Sequence, residues 1–218
     1  MPTANYESLD EAIEALAGCD IGLKNGNSNH APMVAEVLCA MGRPQAVMPW
    51  IARYKERLLP RPPTGDPIYA ETWRSALGRR DRFADWAELF GEELRQAPWP
   101  EVLDRWTGRL MPGFCAAATH GVIRVGHAVR SLAVTETSLR KRELGDALAS
   151  WAATYRQLPS SDRITGRPMA PREAIAESSR HCTASAAQSG KHYRLVGDPR
   201  RFSRVCAGNR IDRCQWRY

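Results

Sequence analysis

Apolar residues recur every three or four positions along most of the first 158 residues, which is the spacing of an amphipathic helix. Leu9, Ile13 and Leu16 form one such stripe, and Phe83 and Trp86 begin another. No run of residues alternates convincingly between apolar and polar positions, as a half-buried strand would. The pattern therefore predicts an all-α protein, built as an irregular multi-helix array. The predicted helices cover 8–18, 33–42, 44–59, 68–78, 81–97, 100–110, 113–134 and 138–158, with a proline-rich loop at 60–67.

Residues at the predicted helix ends fit this assignment. Ser8 is the expected N-cap of the first helix and Asp81 that of the helix over 81–97, because short polar side chains accept hydrogen bonds from free N–H groups. Ser28 or Asn29 has the same role before the second helix. Pro49 lies inside the third predicted helix and should bend or break it.

The positive charge of the chain is confined to its end. Residues 178–218 hold nine basic and two acidic side chains, which accounts for the whole net charge of +7. Residues 1–177 hold 22 of each sign, so the main body offers no electrostatic reason to bind nucleic acid. We therefore divide the chain into a helical domain, 1–177, and a basic tail, 178–218.

Two interpretations of the tail stay open. It is rich in Arg, Ser and Cys and has no sustained helical stripe, which is typical of an unstructured basic segment that binds nucleic acid. The alternative is an out-of-frame translation of GC-rich coding DNA, which tends to give the same composition. In that case the natural continuation of the protein is missing.

Several classes of protein are disfavoured by what the sequence lacks. No stretch approaches the ~20 apolar residues of a membrane span, and the acidic N-terminus does not resemble a signal peptide. We therefore expect a cytoplasmic protein. The cysteines form no C-x-x-C pair, which disfavours a zinc ribbon, and no G-x-G-x-x-G motif predicts a Rossmann site for a flavin or a nicotinamide cofactor.

The strongest candidate for chemistry is the stretch AAATHGVIRVGHA, residues 116–128. On a helix His120, Arg124 and His127 share one face, and the small residues around them allow other helices to approach closely. A rise of 1.5 Å per residue separates the two histidines by about 10.5 Å, so they cannot easily share a metal ion. We therefore predict no metal site here.

A row of imidazole, guanidinium and imidazole is suited to an anion or a polarised carbonyl. Arg124 offers a planar fork of donors, and His120 and His127 can titrate near neutral pH. The structural alternative is that Arg124 pairs with a buried carboxylate while both histidines have only packing roles. Three such residues on one otherwise small and apolar helix favour function.

A second candidate lies in NSNHAPM, residues 27–33. Helix capping explains Ser28 or Asn29, and Pro32 suits a first turn, but neither role explains His30. The positive end of a helix dipole disfavours imidazolium, so we expect His30 to be neutral. A neutral histidine at this place can polarise a carbonyl or accept a proton.

The two motifs and their context resemble the questin oxidase-like family. The matching stretches are NGNSNHAPMVAEVLCAMG, ARYKERLLP, WRSALG, LMPGFCAAATHGVIRVGHAV and ELGDALASWAATYRQLP, in the same order over roughly residues 20–175. Members of this family resemble Baeyer–Villiger oxidases of polyketide pathways, which use NADPH and oxygen to open the ring of a polycyclic aromatic ketone without a flavin domain.

The resemblance implies an oxidoreductase that uses NADPH and acts on an aromatic ketone. It implies catalytic roles for His30, His120, Arg124 and His127 and a substrate contact for Asn29. Family members continue with further helices, so the chain looks like their N-terminal half, and it would be truncated and inactive if the active site needs helices from the missing half. A non-enzymatic helical protein that binds a ligand or a partner is the alternative.

Overall fold

The computed structural model describes residues 4–69 and 71–158. This part of the chain forms seven α-helices and two short strands, joined by turns of 3-10 helix. The elements in chain order are α1 Glu7–Leu16, β1 Cys19–Leu23, α2 Ala31–Ala40, α3 Val47–Lys55, β2 Leu58–Pro60, α4 Phe83–Gln96, α5 Trp99–Leu110, α6 His120–Val134 and α7 Ser138–Ala153.

The first three helices and the two strands share one hydrophobic cluster. Leu9 and Ile13 of α1 and Ile51 of α3 bury their apolar side chains there, as their helical spacing predicts. The strands pair antiparallel, with Leu23 opposite Leu58, and the register shifts between the two ends of β1. This pairing fixes the position of the turn that leads into α2.

Helices α4 to α7 enclose a second cluster, which is dominated by aromatic rings. The indole of Trp106 makes edge contacts with Trp86, Phe90 and Trp73, at centroid distances between 4.8 and 5.7 Å. Such perpendicular arrangements place the positive ring edge against a negative ring face. The cluster holds α4 and α5 together beneath α7.

Helix α7 is buried along nearly its whole length, from Arg140 to Ala153. A helix that is covered all round carries little amphipathic signal, and here it carries charges as well. Each of its buried charges has a partner of opposite sign: Arg140 with Asp10, Glu143 with Arg124, and Asp146 with Arg61.

The prediction of an all-α protein is confirmed, and the small two-stranded sheet is the main feature that the prediction missed. Leu58 and Leu59 belong to β2, so the predicted helix over 44–59 was wrong at its end. Its start was also wrong, because α3 begins at Val47 after a 3-10 turn. Pro49 consequently falls in the first turn of α3, where a missing N–H costs nothing, and causes no break.

Four further predictions need correction: the helix over 68–78, the start of the helix over 113–134, and the N-caps Ser8 and Asp81. The segment 68–78 forms only a 3-10 turn, Trp73–Ala76, and α6 begins at His120 rather than near 113. Helix α1 begins at Glu7, so Ser8 is a residue of the helix and not its N-cap. Asp81 does not cap α4 either, because the N-cap position is Arg82. Asp81 is held instead by Arg79, at 2.7 Å.

Within the described ranges, no helix combines the length and the apolar character that crossing a membrane requires. The predictions for the tail over 178–218 and for the helical domain after 158 lie outside the described residues.

Candidate histidine site

Hydrogen bonds from Asn29 fix the entry to α2. Its side-chain oxygen accepts from the backbone N–H of Ala31 at 2.8 Å, which satisfies one of the free donors at the helix start. Its side-chain nitrogen donates to the backbone oxygen of Asp20 at 2.9 Å, and its own N–H donates to Ile21. Asn29 therefore ties β1 to α2 and holds the next residue, His30, at the N-terminus of the helix.

His120 is the first residue of α6 and follows a strained segment. Ala117, Ala118 and Thr119 have φ angles of 47°, 51° and 67°, in the left-handed region. That region costs roughly 1–2 kcal/mol per residue for a side chain with a Cβ atom. Nδ1 of His120 lies 2.5 Å from the backbone oxygen of Ala117, so the strained turn also orients the ring.

The two histidines meet although they are 90 residues apart in the sequence. Their Nε2 atoms lie 2.8 Å apart, and the rings are perpendicular, with centroids 4.7 Å apart. Nδ1 of His120 donates to the backbone oxygen of Ala117, so Nε2 of the same neutral ring is the acceptor. In the neutral pair, Nε2–H of His30 is therefore the donor. The tautomers of both rings are assigned from these hydrogen bonds. The pair can therefore hold one proton between two ring nitrogens.

Burial lowers the pKa of His30, and the neighbouring His120 lowers it further. A hydrogen bond that the ring donates to the backbone of Ser28 partly opposes both effects, because a ring that donates to Ser28 and to His120 together must be protonated on both nitrogens. The direction agrees with the neutral His30 expected from the sequence. The main cause is burial rather than the helix dipole that the sequence suggested.

Arg124 lies in the interface between α6 and α7. Its Nε and Nη2 atoms donate to the two carboxylate oxygens of Glu143 at 2.7 and 2.8 Å, and only 6% of its surface is exposed. Burial by itself would lower the pKa of Arg124, but the charge of Glu143 raises it. This is the arrangement that the structural alternative for Arg124 describes.

Gly121 explains how α6 comes so close to α7. A Cβ atom at this position would lie 2.7 Å from both Cα and Cβ of Trp151, closer than real Cβ atoms approach. Gly126 is different, since nothing lies within 4 Å of its Cβ position and it is exposed. The expected close approach is therefore confirmed at the first glycine and not at the second.

His127 contacts a carboxylate that the spacing of residues along the sequence did not reveal. Its Nδ1 lies 2.7 Å from Oε2 of Glu36. The other carboxylate oxygen, Oε1, accepts hydrogen bonds from Nε of Arg130 and, at 2.7 Å, from the hydroxyl of Tyr6. Glu36 is 2% exposed and is the only charged residue of α2, whose other residues are apolar. A single charge in such a helix was the available signal.

The three donors around Glu36 determine its charge. Burial would raise the pKa of this carboxyl, but hydrogen bonds from His127, Arg130 and Tyr6 outweigh it and lower the pKa to about 2. Burial and the hydrogen bond to Glu36 raise the pKa of Tyr6 to about 12. Glu36 is thus a carboxylate near neutral pH, and it orients the ring of His127.

The predicted row on α6 is consequently divided among three surroundings. His120 joins His30, Arg124 joins Glu143, and His127 joins Glu36. Asn29 uses both ends of its amide on backbone groups, so we assign it to positioning His30 rather than to substrate contact. The catalytic roles of the other residues stay predictions.

Tyr54 of α3 contacts the histidine pair through the backbone of His30. The hydroxyl of Tyr54 accepts from the backbone N–H of His30 at 3.1 Å, and the ring of Tyr54 stacks on Trp50 with centroids 4.5 Å apart. Ile123, one turn after His120, is 44% exposed. Tyr54 thus connects α3 to His30, and Ile123 is an exposed apolar side chain on the helix that begins at His120.

No group of three or more His, Cys, Asp or Glu side chains in 4–69 and 71–158 is arranged to hold a metal ion. The chain also finds no match among protein-family models, curated proteins or solved structures.

Proposed function

We propose that this chain is an oxidoreductase that uses NADPH and oxygen to oxidise a polycyclic aromatic ketone in the Baeyer–Villiger manner. The reaction consumes the ketone, O₂, NADPH and a proton, and yields an ester, NADP⁺ and water. One observation carries the proposal: the two motifs that resemble the questin oxidase-like family supply the two histidines that meet at 2.8 Å.

The pair is suited to the proton transfers of this reaction. When a nucleophile adds to the ketone, its carbonyl oxygen becomes negatively charged and needs a hydrogen-bond donor. Nε2–H of His30 can donate a hydrogen bond to that oxygen, while Nε2 of His120, whose Nδ1 donates to Ala117, can accept a proton. A histidine whose pKa is lowered stays neutral near pH 7, so His30 can donate a hydrogen bond to the oxyanion or accept a proton as a base.

NADPH supplies the two electrons of the reaction when it is bound. The nearest cations of α6, Arg124 and Arg130, are both held by carboxylates, so neither is free for the cofactor's phosphates. The surroundings of the histidine pair therefore fit the ketone better than they fit NADPH.

The experiment is turnover by the purified full chain with NADPH and an anthraquinone under ¹⁸O₂. We expect NADPH to be consumed and one labelled oxygen atom to enter the product. His30→Gln and His120→Gln should each reduce turnover by about 10²-fold or more, the usual contribution of an acid–base residue. His127→Gln, a matched change on the same helix, measures whether the third predicted histidine takes part.

Two results would overturn the proposal. One is the absence of turnover by a folded wild-type chain, which would leave the alternative of a binding protein. The other is wild-type turnover in both the His30 and the His120 variants.

A second candidate function is binding of a transition-metal ion between the same two rings. A histidine that ligates a metal through Nε2 commonly donates Nδ1–H to a backbone carbonyl, as His120 does to Ala117. Two Zn–N bonds of ~2.0–2.1 Å at a tetrahedral angle need nitrogens roughly 3.3 Å apart, so the rings would separate slightly from 2.8 Å. Titration of the chain with Zn²⁺ and Co²⁺ tests this candidate, and equal affinity in the His30→Gln variant would exclude it.

A further inference from the structure

A cleft of about 640 Å³ opens beside the aromatic cluster of α4 to α7. The 3-10 turn at Trp73–Ala76, the C-terminal half of α5 and the segment that follows α7 form its walls. Its volume is within the range of small-molecule sites, ~300–1,000 Å³. The residues relevant to its chemistry are Trp73, Arg74, Gly108, Arg109, Tyr155 and Gln157.

Two arginines of the cleft lie on one indole ring. The guanidinium carbons of Arg74 and Arg109 are 4.5 and 5.3 Å from the centroid of Trp73. Arg109 also lies 4.6 Å from the ring of Trp106, which is nearly perpendicular to that of Trp73. These contacts hold both guanidinium groups in place, so their donors lose less freedom when they bind a ligand.

Among the residues that the structure describes, nothing balances the charges of these two arginines within the cleft. No Asp or Glu of 4–69 or 71–158 lines it. The ion pairs in the same ranges use other arginines: Arg61, Arg79, Arg82, Arg95, Arg105, Arg124, Arg130, Arg140 and Arg142. Because both guanidinium carbons lie near one centroid, they are at most about 10 Å apart. Two like charges at this separation repel each other, and an anion between them would turn that repulsion into attraction.

The rest of the cleft favours an anion that carries a larger body. Gly108 leaves open space, with nothing within 4 Å of its Cβ position. Gln157 donates to the hydroxyl of Tyr155 at 2.8 Å, which gives the cleft a polar wall. Planar guanidinium forks match the oxygens of phosphate groups in pairs.

We propose that this cleft binds a phosphate-bearing small molecule, with Arg74 and Arg109 on its phosphate oxygens. The shared chemistry is the diphosphate group, which either free pyrophosphate or a nucleotide can provide. The proposal does not depend on the proposed oxidoreductase activity.

The test is calorimetric titration of the full chain with pyrophosphate, ADP, NADPH and citrate. We expect pyrophosphate to bind, and to bind about tenfold more weakly, about 1.4 kcal/mol, in each of Arg74→Gln and Arg109→Gln. Arg109→Lys, which keeps the charge and loses the fork, should weaken binding as well. Arg53→Gln on α3 is the matched control for the loss of one exposed charge, and circular dichroism shows that each variant is folded.

The ligands distinguish the two sources of the diphosphate group. Tighter binding of ADP or NADPH than of pyrophosphate supports a nucleotide as the ligand, and tighter binding of pyrophosphate supports the free anion. Three results would overturn the proposal: no binding of any phosphate compound, citrate as tight as pyrophosphate, or equal affinities in the Arg74, Arg109 and Arg53 variants. Since only binding is measured, failure here leaves the oxidoreductase proposal untouched.

Discussion

Replacing Arg124 by methionine should destabilise the protein strongly, because it leaves a buried charge without its partner. Arg124 and Glu143 are 6% and 7% exposed and share two hydrogen bonds. Removing one member of a buried ion pair costs about 3–5 kcal/mol. Since domains of this size are stable by only about 5–15 kcal/mol, Arg124→Met should remove a large part of the total.

Replacing both residues tests the cause of that loss. The variant Arg124→Met/Glu143→Met has no unpaired charge, and exchanging a whole buried pair for apolar side chains is often neutral or stabilising by about 1–4 kcal/mol. The double variant should therefore be more stable than Arg124→Met alone. Glu143 in the single variant can also lose its charge by taking up a proton, because burial raises its pKa. The deficit should therefore shrink as the pH falls from neutral towards the ordinary glutamate pKa of 4.5.

Urea unfolding followed by tryptophan fluorescence measures these free energies. The control is Arg105→Met, which breaks the exposed pair with Glu93 and should cost about 1 kcal/mol or less. A loss below about 1 kcal/mol in Arg124→Met would refute a structural role for the pair of Arg124 and Glu143, as would a double variant no more stable than the single one. In either case, reduced turnover in a stable Arg124 variant would favour the catalytic role predicted from the sequence.

Three other changes have outcomes that the structure specifies. Gly121→Ala should lower the free energy of unfolding by about 1–3 kcal/mol or more, because the added Cβ would overlap the backbone of Trp151. Gly126→Ala on the same helix should raise it by about 1 kcal/mol. Equal melting temperatures of the two variants would contradict this. Glu36 has a folded pKa of about 2 against a usual 4.5, so the stability it contributes is present above about pH 4.5 and is lost as the pH falls towards 2. Glu36→Gln should remove that pH dependence in acid unfolding. An unchanged acid profile would show that the hydrogen bonds around Glu36 are not formed. The folded pKa of His30 lies below its usual value of 6.5, so the unfolded chain binds more protons and the free energy of unfolding falls as the pH drops below about 6.5. His30→Gln should flatten this part of the pH profile, measured by urea unfolding. A profile that keeps its slope would exclude His30 as the cause.

Helical spacing predicted most of α1, α2, α4, α5 and α7 because those helices expose one face or contain few helix breakers. The strands were missed for a physical reason: β1 is only five residues long, and four of them are buried, so no alternation is visible. Likewise, no spacing rule foresees three successive left-handed residues before His120. Such backbone strain persists only where tertiary contacts hold it.

Candidate residues were easier to select than to assign. The sequence alone singled out His30, His120, Arg124 and His127, since each is a polar group among small or apolar neighbours. It placed the last three on one face of a helix, and α6 does carry them. Helical spacing cannot say which neighbouring element each side chain contacts, so Glu36 was overlooked and the three residues were treated as one row.

By itself the sequence predicted a helical fold and selected two histidine motifs as candidates for chemistry, because both inferences depend on local spacing and residue type. Only the tertiary structure decided how the motifs combine. Residues 90 positions apart became hydrogen-bond partners once Asn29 fixed the entry to α2 and the strained turn fixed the ring of His120. The same packing took Arg124 out of the candidate row, because a buried guanidinium is stable only beside a carboxylate, and α7 provides one in Glu143.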